Sequence, residues 1–187
     1  MKRLALTTGL IVAAACPAWA DDSAIKEQTL GGVVPNVCRL GAVSQSSGDN
    51  ASFAVGGASS TVTVTTFADP NTAQARAASI NLGIQGVCNR SHTIRLLSER
   101  GGLTLDQPPA GATPGFARRV DYTAVAGWPG AQTTLTTAGA AGAAATVDVS
   151  GPSSGDLLLS IAIPSGSTAL VAGDYRDRLT VELLANM

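Results

Sequence analysis

Apolar residues along this chain recur most clearly at every second position. Ile80, Leu82, Ile84, Gly86 and Cys88 share one face of an extended segment, with Asn81, Gly83, Gln85 and Val87 on the other. Leu157, Leu159, Ile161 and Ile163 repeat the pattern, as do Leu179, Val181 and Leu183 near the C-terminus. Val120, Tyr122, Ala124 and Ala126 alternate up to Trp128. Ile94 and Leu96 share a face, and residues 60–66 read STVTVTT, rich in β-branched side chains. Period two predicts half-buried strands, because successive Cβ atoms point to opposite faces of a sheet.

Turn-forming segments rich in Gly, Pro, Ser, Asn and Asp separate these runs: residues 41–50, 68–71, 98–102, 106–115, 138–145, 150–155 and 164–167. Residues 72–78 suit a helical turn or two. The Gly-Ala stretch 138–145, interrupted by Gly139 and Gly142, reads as a flexible loop. The expectation is one all-β domain of about seven to nine strands, a sandwich with Greek-key-like connections.

The N-terminus changes this picture. Lys2 and Arg3 precede a mostly apolar run over residues 4–15, and Ala18-Trp19-Ala20 fits the small-x-small rule of a signal peptidase site. Residues 1–20 therefore read as a secretory signal peptide. A rival lipoprotein-type cut at Cys16 follows Ala13-Ala14-Ala15, without the leucine such a site usually takes. The expected mature chain, 21–187, suits one domain with a sizeable core. Without Lys2 and Arg3 it carries ten basic against thirteen acidic residues, a net charge of −3. It has no basic patch for nucleic acid and no second apolar span. Export is the expectation: the periplasm first, then the cell surface or the medium.

The same cut removes Cys16 and leaves Cys38 and Cys88. In an oxidising compartment a disulfide is the natural reading, the alternative being two free buried thiols. Such a bridge closes a loop of about 50 residues, worth roughly 4 kcal/mol in the chain-entropy model. Two cysteines and the single histidine, His92, do not make four metal ligands, and no CxxC is present.

Catalytic signals are weak. A Ser-His-Asp triad would have to use His92, at the start of a predicted strand, and no serine lies in a GxSxG elbow. No HExxH, P-loop or GxGxxG pattern appears. Asp174, Asp177 and Glu182 are interleaved with Arg176 and Arg178, which reads as a charged turn and outer strand face rather than a calcium loop. Arg118-Arg119 reads as a solvated turn. Asn50-Ala51-Ser52 and Asn89-Arg90-Ser91 match the N-glycosylation pattern, which is common by chance. The expectation is a non-enzyme without catalytic residues, cofactor or metal.

Several segments in order resemble one family. VVPNVCRL (33–40) leads an arm into a cysteine. SINLGIQGVCN (79–89) ends an alternating strand at the second cysteine, and HTIRLLSERGG (92–102) follows. VDYTAVAGW (120–128) holds a strand tyrosine. GDYRDRLTVEL (173–183) places Gly173, Tyr175 and Asp177 before Leu179, Val181 and Leu183. Together they resemble the spore coat protein U domain family, which includes the Csu-type pilins of archaic chaperone–usher pili, and the resemblance covers nearly the whole expected mature chain.

The resemblance implies an incomplete, pilin-like immunoglobulin sandwich at residues 38–187, completed by a donor strand, with 173–183 as its closing strand. It implies partners: a periplasmic chaperone, an outer-membrane usher, and like or related subunits of a fimbrium or coat. It makes residues 21–37 a candidate donor arm. Counting back from Cys38, Val34, Gly32 and Leu30 share one face, and Gln28 breaks the apolar series. The residues alone allow another reading, in which residues 30–40 are the first strand of their own sandwich. The protein is then a self-contained secreted binding or adhesin-like module.

Overall fold

The computed structural model describes residues 26–57 and 59–186. The expected signal peptide and residues 21–25 of the arm lie outside the described residues. Residues 26–34 belong to one unit and residues from Pro35 onward to another. Residues 26–37 form no strand or helix, and Leu30, Val33 and Val34 are 94%, 96% and 80% exposed.

The second unit is built from strands, with no helix among the described residues. In chain order they are β1 (Cys38–Asp49), β2 (Ala51–Val55), β3 (Ser60–Val64), β4 (Ala78–Cys88), β5 (His92–Ser98), β6 (Leu103–Leu105), β7 (Phe116–Ala117) and β8 (Arg119–Val120). There follow β9 (Thr123–Trp128), β10 (Ala131–Thr136), β11 (Ala143–Val149), β12 (Ser153–Ile163), β13 (Ala169–Leu170), β14 (Tyr175–Arg176) and β15 (Leu179–Ala185). The larger sheet runs β1-β4-β12-β9-β10 and the smaller β11-β5-β15, all antiparallel. Two hairpin-scale sheets, β2-β3 and β14-β6-β8, and a parallel β13-β7 pair complete the fold.

The two main sheets form a β-sandwich, because their alternate residues share one core. Ile80, Leu82, Leu157, Leu159, Ala124 and Ala126 come from the larger sheet, and Ile94, Leu96 and Val149 from the smaller. A glycine on β4 makes room for Trp128. A Cβ on Gly86 would sit 3.0 Å from the indole.

Several segments differ from the sequence expectation, among them residues 153–155, read as turn, which begin β12 beside β4. Residues 41–49, read as a turn, continue β1 beside β4, with register shifts between Leu40 and Val43 and between Val43 and Gln45. An edge strand with a solvated outer side needs backbone partners more than apolar alternation, so its pattern is weak. Ala143, Ala144 and Ala145, read as loop, begin β11 and pair with Ser98, Leu97 and Leu96. Residues 72–78 hold no helical turn. Asp69 instead caps a tight turn, its Oδ1 accepting the amides of Asn71 and Thr72.

Candidate functional site

The first and last long strands of the domain, β1 and β15, are each an edge of their sheet. On the opposite side β10 and β11, consecutive in the chain, pack together. On this side β1 and β15 also lie against each other, and β15 bonds only to β5. Its inward residues Leu179, Val181 and Leu183 pack on the core yet are only half-buried. Ile94 and Leu96, which lie opposite Leu183 and Val181, are 0% exposed. Leu40 and Val43 on β1 are also half-buried, and Leu184 is 44% exposed. An apolar strip thus runs along an unpaired strand edge, the arrangement to which another strand adds.

The residues ahead of β15 hold it in place. Asp177, between β14 and β15, accepts four hydrogen bonds. Tyr122 Oη and Ser98 Oγ donate to Oδ2, and the amides of Arg100 and Arg178 donate to Oδ1. Burial, and then the Asp177 carboxylate beside the hydroxyl, push the Tyr122 phenol far above its ordinary range. Tyr175 Oη donates towards the carbonyls of Val171 (2.8 Å) and Ala117 (3.1 Å), and burial raises its pKa too. Gly173 has φ 143°, and a Cβ there would meet Leu105 at 2.6 Å. The segment read as one closing strand therefore divides. Gly173 lies in a loop, Tyr175 in β14 and Asp177 between strands, while Leu179, Val181 and Leu183 lie in β15.

At the other end of the sandwich, Cys38 and Cys88 are directly opposed in the β1–β4 ladder and form a disulfide. The next residue, Asn89, extends the ladder. Its amide donates to the Val37 carbonyl at 2.9 Å. Its side-chain Oδ1 accepts Val37 N–H at 2.9 Å, and its Nδ2 donates to the Pro35 carbonyl at 2.8 Å. Sequence reading saw only a glycosylation pattern here. Its position directly after a paired cysteine was the available signal. Asn50, in the other such pattern, sits at φ 56° and binds Thr66 and Ala77 through its amide. The arm residues Leu30, Gly32 and Val34 are exposed and in no strand.

The remaining candidates have structural partners. His92 is 0% exposed, donates Nδ1–H to the Arg90 carbonyl and stacks edge-on against Trp128, with centroids 5.1 Å apart. Neither His92 Nε2 nor Trp128 Nε1 has a hydrogen-bond partner. Glu182 pairs with Arg95 at 3.3 Å, and Arg119 with Asp121 at 2.9 Å. Arg118 binds Thr113 Oγ1 and the Gly111 carbonyl, tying down the loop over 106–115. Among the described residues no group of three or more His, Cys, Asp or Glu is placed to hold a metal ion, and no helix is long and apolar enough to cross a membrane.

The class defined by this geometry is a disulfide-pinned β-sandwich with an apolar, unpaired edge at its last strand. No family model matches the chain, and neither a curated protein nor a solved structure does.

Proposed function

We propose that this protein is an exported structural subunit of a surface fibre or coat, assembled when the N-terminal arm of one copy completes the open side of the next. The carrying observation is the half-buried strip Leu179, Val181 and Leu183 on a strand that pairs on one side only. The exposed arm with Leu30 and Val34 offers a strand to complete it. Backbone bonds along β15 would supply a ladder, and burying each of the two side chains contributes about 1.5–3 kcal/mol. Residues 21–37 extended reach roughly 56 Å, enough to cross a neighbouring domain. Pairing of arm to edge is heterologous, so it extends into an open filament wherever the rotation between copies does not close a ring.

The immunoglobulin-like, incomplete form of the sandwich and the resemblance to archaic pilin subunits belong to this reading. So does the signal peptide at residues 1–20. An unpaired apolar edge is an aggregation hazard before assembly, which suits delivery by a periplasmic chaperone and an outer-membrane usher. Catalysis has no part in it.

Truncation tests the reading. A protein beginning at Asn36 is expected to fold and remain monomeric, while the chain from Asp21 forms oligomers that grow with concentration. Equal oligomerisation of the two would overturn it. A monomeric chain from Asp21 at every concentration would instead favour a self-contained binding module.

A further inference from the structure

The outer face of the larger sheet carries no charge at its centre. Register places Gly83, Leu158, Gly127 and Gln132 in one row across β4, β12, β9 and β10. The next two rows, through Ser160 and Ala162, hold only Ser, Thr, Asn, Ala and Val. The smaller sheet differs, with Asp148, Arg95 and Glu182 on its outer face. Exposed surfaces usually intersperse charges of both signs, and charged residues are depleted where partners meet.

One large apolar side chain stands on the neutral face. Leu158 is 62% exposed, and Gly83 and Gly127 lie directly beside it. A Cβ on Gly127 would meet nothing within 4 Å. A hollow of about 550 Å³ opens there, lined by Leu158 itself, Gly127, Pro129, Gly130 and Ala131. A knob and a hollow side by side make a self-complementary patch. A two-fold axis running between them brings each copy's Leu158 onto the hollow of the other, as an isologous interface requires. Asp156, at the rim of the hollow, has its Oδ2 held by Ser44 Oγ at 3.0 Å. Four strands about 4.8 Å apart, each contributing about eight residues of 3.4 Å rise, present roughly 500 Å² per copy and about 1,000 Å² per pair. That is the low end of specific interfaces, so isolated copies pair weakly, and repetition along a fibre multiplies the contact. We propose that copies pair back to back through this face, so that fibres associate side by side. The inference rests on the assembly reading above and concerns a face that the arm does not use.

The test uses fibres of the chain from Asp21, read by electron microscopy and light scattering. Unsubstituted fibres are expected to lie in pairs or bundles that persist in high salt, because the face is uncharged. Leu158→Asp is expected to leave single fibres, with at least several-fold less scattering at equal fibre mass. Gly127→Val fills the hollow without adding charge and is expected to do the same. It provides the reading if Leu158→Asp fails to fold. Thr146→Asp, on the outer face of the smaller sheet, should leave the bundles intact. Bundles that persist in both face variants, or that are lost equally in Thr146→Asp, would overturn the pairing. Single fibres from the unsubstituted chain would overturn it too and leave the face to another partner. If the chain from Asp21 forms no fibres, the assembly reading falls, and amide NMR shifts between micromolar and millimolar concentration read the face alone. Shifts centred on Leu158 and Gly127 then keep the pairing, and their absence overturns it.

Discussion

Tyr122 donates its hydroxyl to Asp177 Oδ2 at 2.7 Å, joining a core residue of the larger sheet's approach to the residue that launches β15. Asp177 also receives Ser98 Oγ and two backbone amides, so it gathers the end of β5 and the start of β15 around one carboxylate. Hydrogen bonds to a charged acceptor contribute more than neutral ones, about 1.5–3 kcal/mol each. Tyr122→Phe is expected to lower unfolding free energy in urea by that amount. Asp177→Ala is expected to cost more, because three other donors lose their acceptor. The double variant should fall short of the sum of the singles, and strict additivity would deny the coupling.

Alkaline pH probes the same site. Both tyrosines have pKa values raised above 10.0, chiefly by burial. Their folded-state values exceed the unfolded ones, so the stability they contribute is fully present below pH 10 and is lost as pH rises above it. Because Tyr122 and Tyr175 are the only tyrosines in the chain, tyrosinate absorbance reads them directly. Tyr122 should ionise only as the protein unfolds. Free ionisation of both near pH 10 in folded protein would contradict this environment.

Removing the disulfide with Cys38→Ser and Cys88→Ser should destabilise the domain by about 4 kcal/mol, since the bridge spans 50 residues. Denaturant midpoints with and without reductant check the figure. The intact mass of exported protein should be two hydrogens short of the reduced chain and begin at Asp21.

The open edge separates stability from association. Leu96, 0% exposed, should cost about 2–5 kcal/mol on conversion to alanine, whereas half-buried Leu183 should cost roughly half as much. Leu183→Asp should abolish self-association while the monomer still folds. Added as a peptide, residues 27–37 should raise the thermal midpoint of the protein truncated at Asn36 in a concentration-dependent way. This gain should vanish in Leu183→Asp. An equal gain in that variant would move the binding site elsewhere.

The central strands were readable from the chain because burial on one face is a local, periodic demand. Ile80 to Cys88 and Leu157 to Ile163 announce themselves by alternation, and the cysteine count pointed to the bridge that Cys38 and Cys88 form. Edge strands carry a weaker demand. Residues 41–49 are polar and Ala143 to Ala145 small, and both became strands only because β4 and β5 offered them backbone partners. Nothing in the spacing of Tyr122 and Asp177 marks them as neighbours, and Asn89 matched only a glycosylation pattern common by chance, although its side chain binds Val37 and Pro35. Alternation tells which face of a strand seeks the core. Which edge stays unpaired, and which side chain meets which backbone across 52 residues from Val37 to Asn89, follows from packing two sheets together. No local pattern encodes those long-range contacts, because their energy exists only once both sheets are in place.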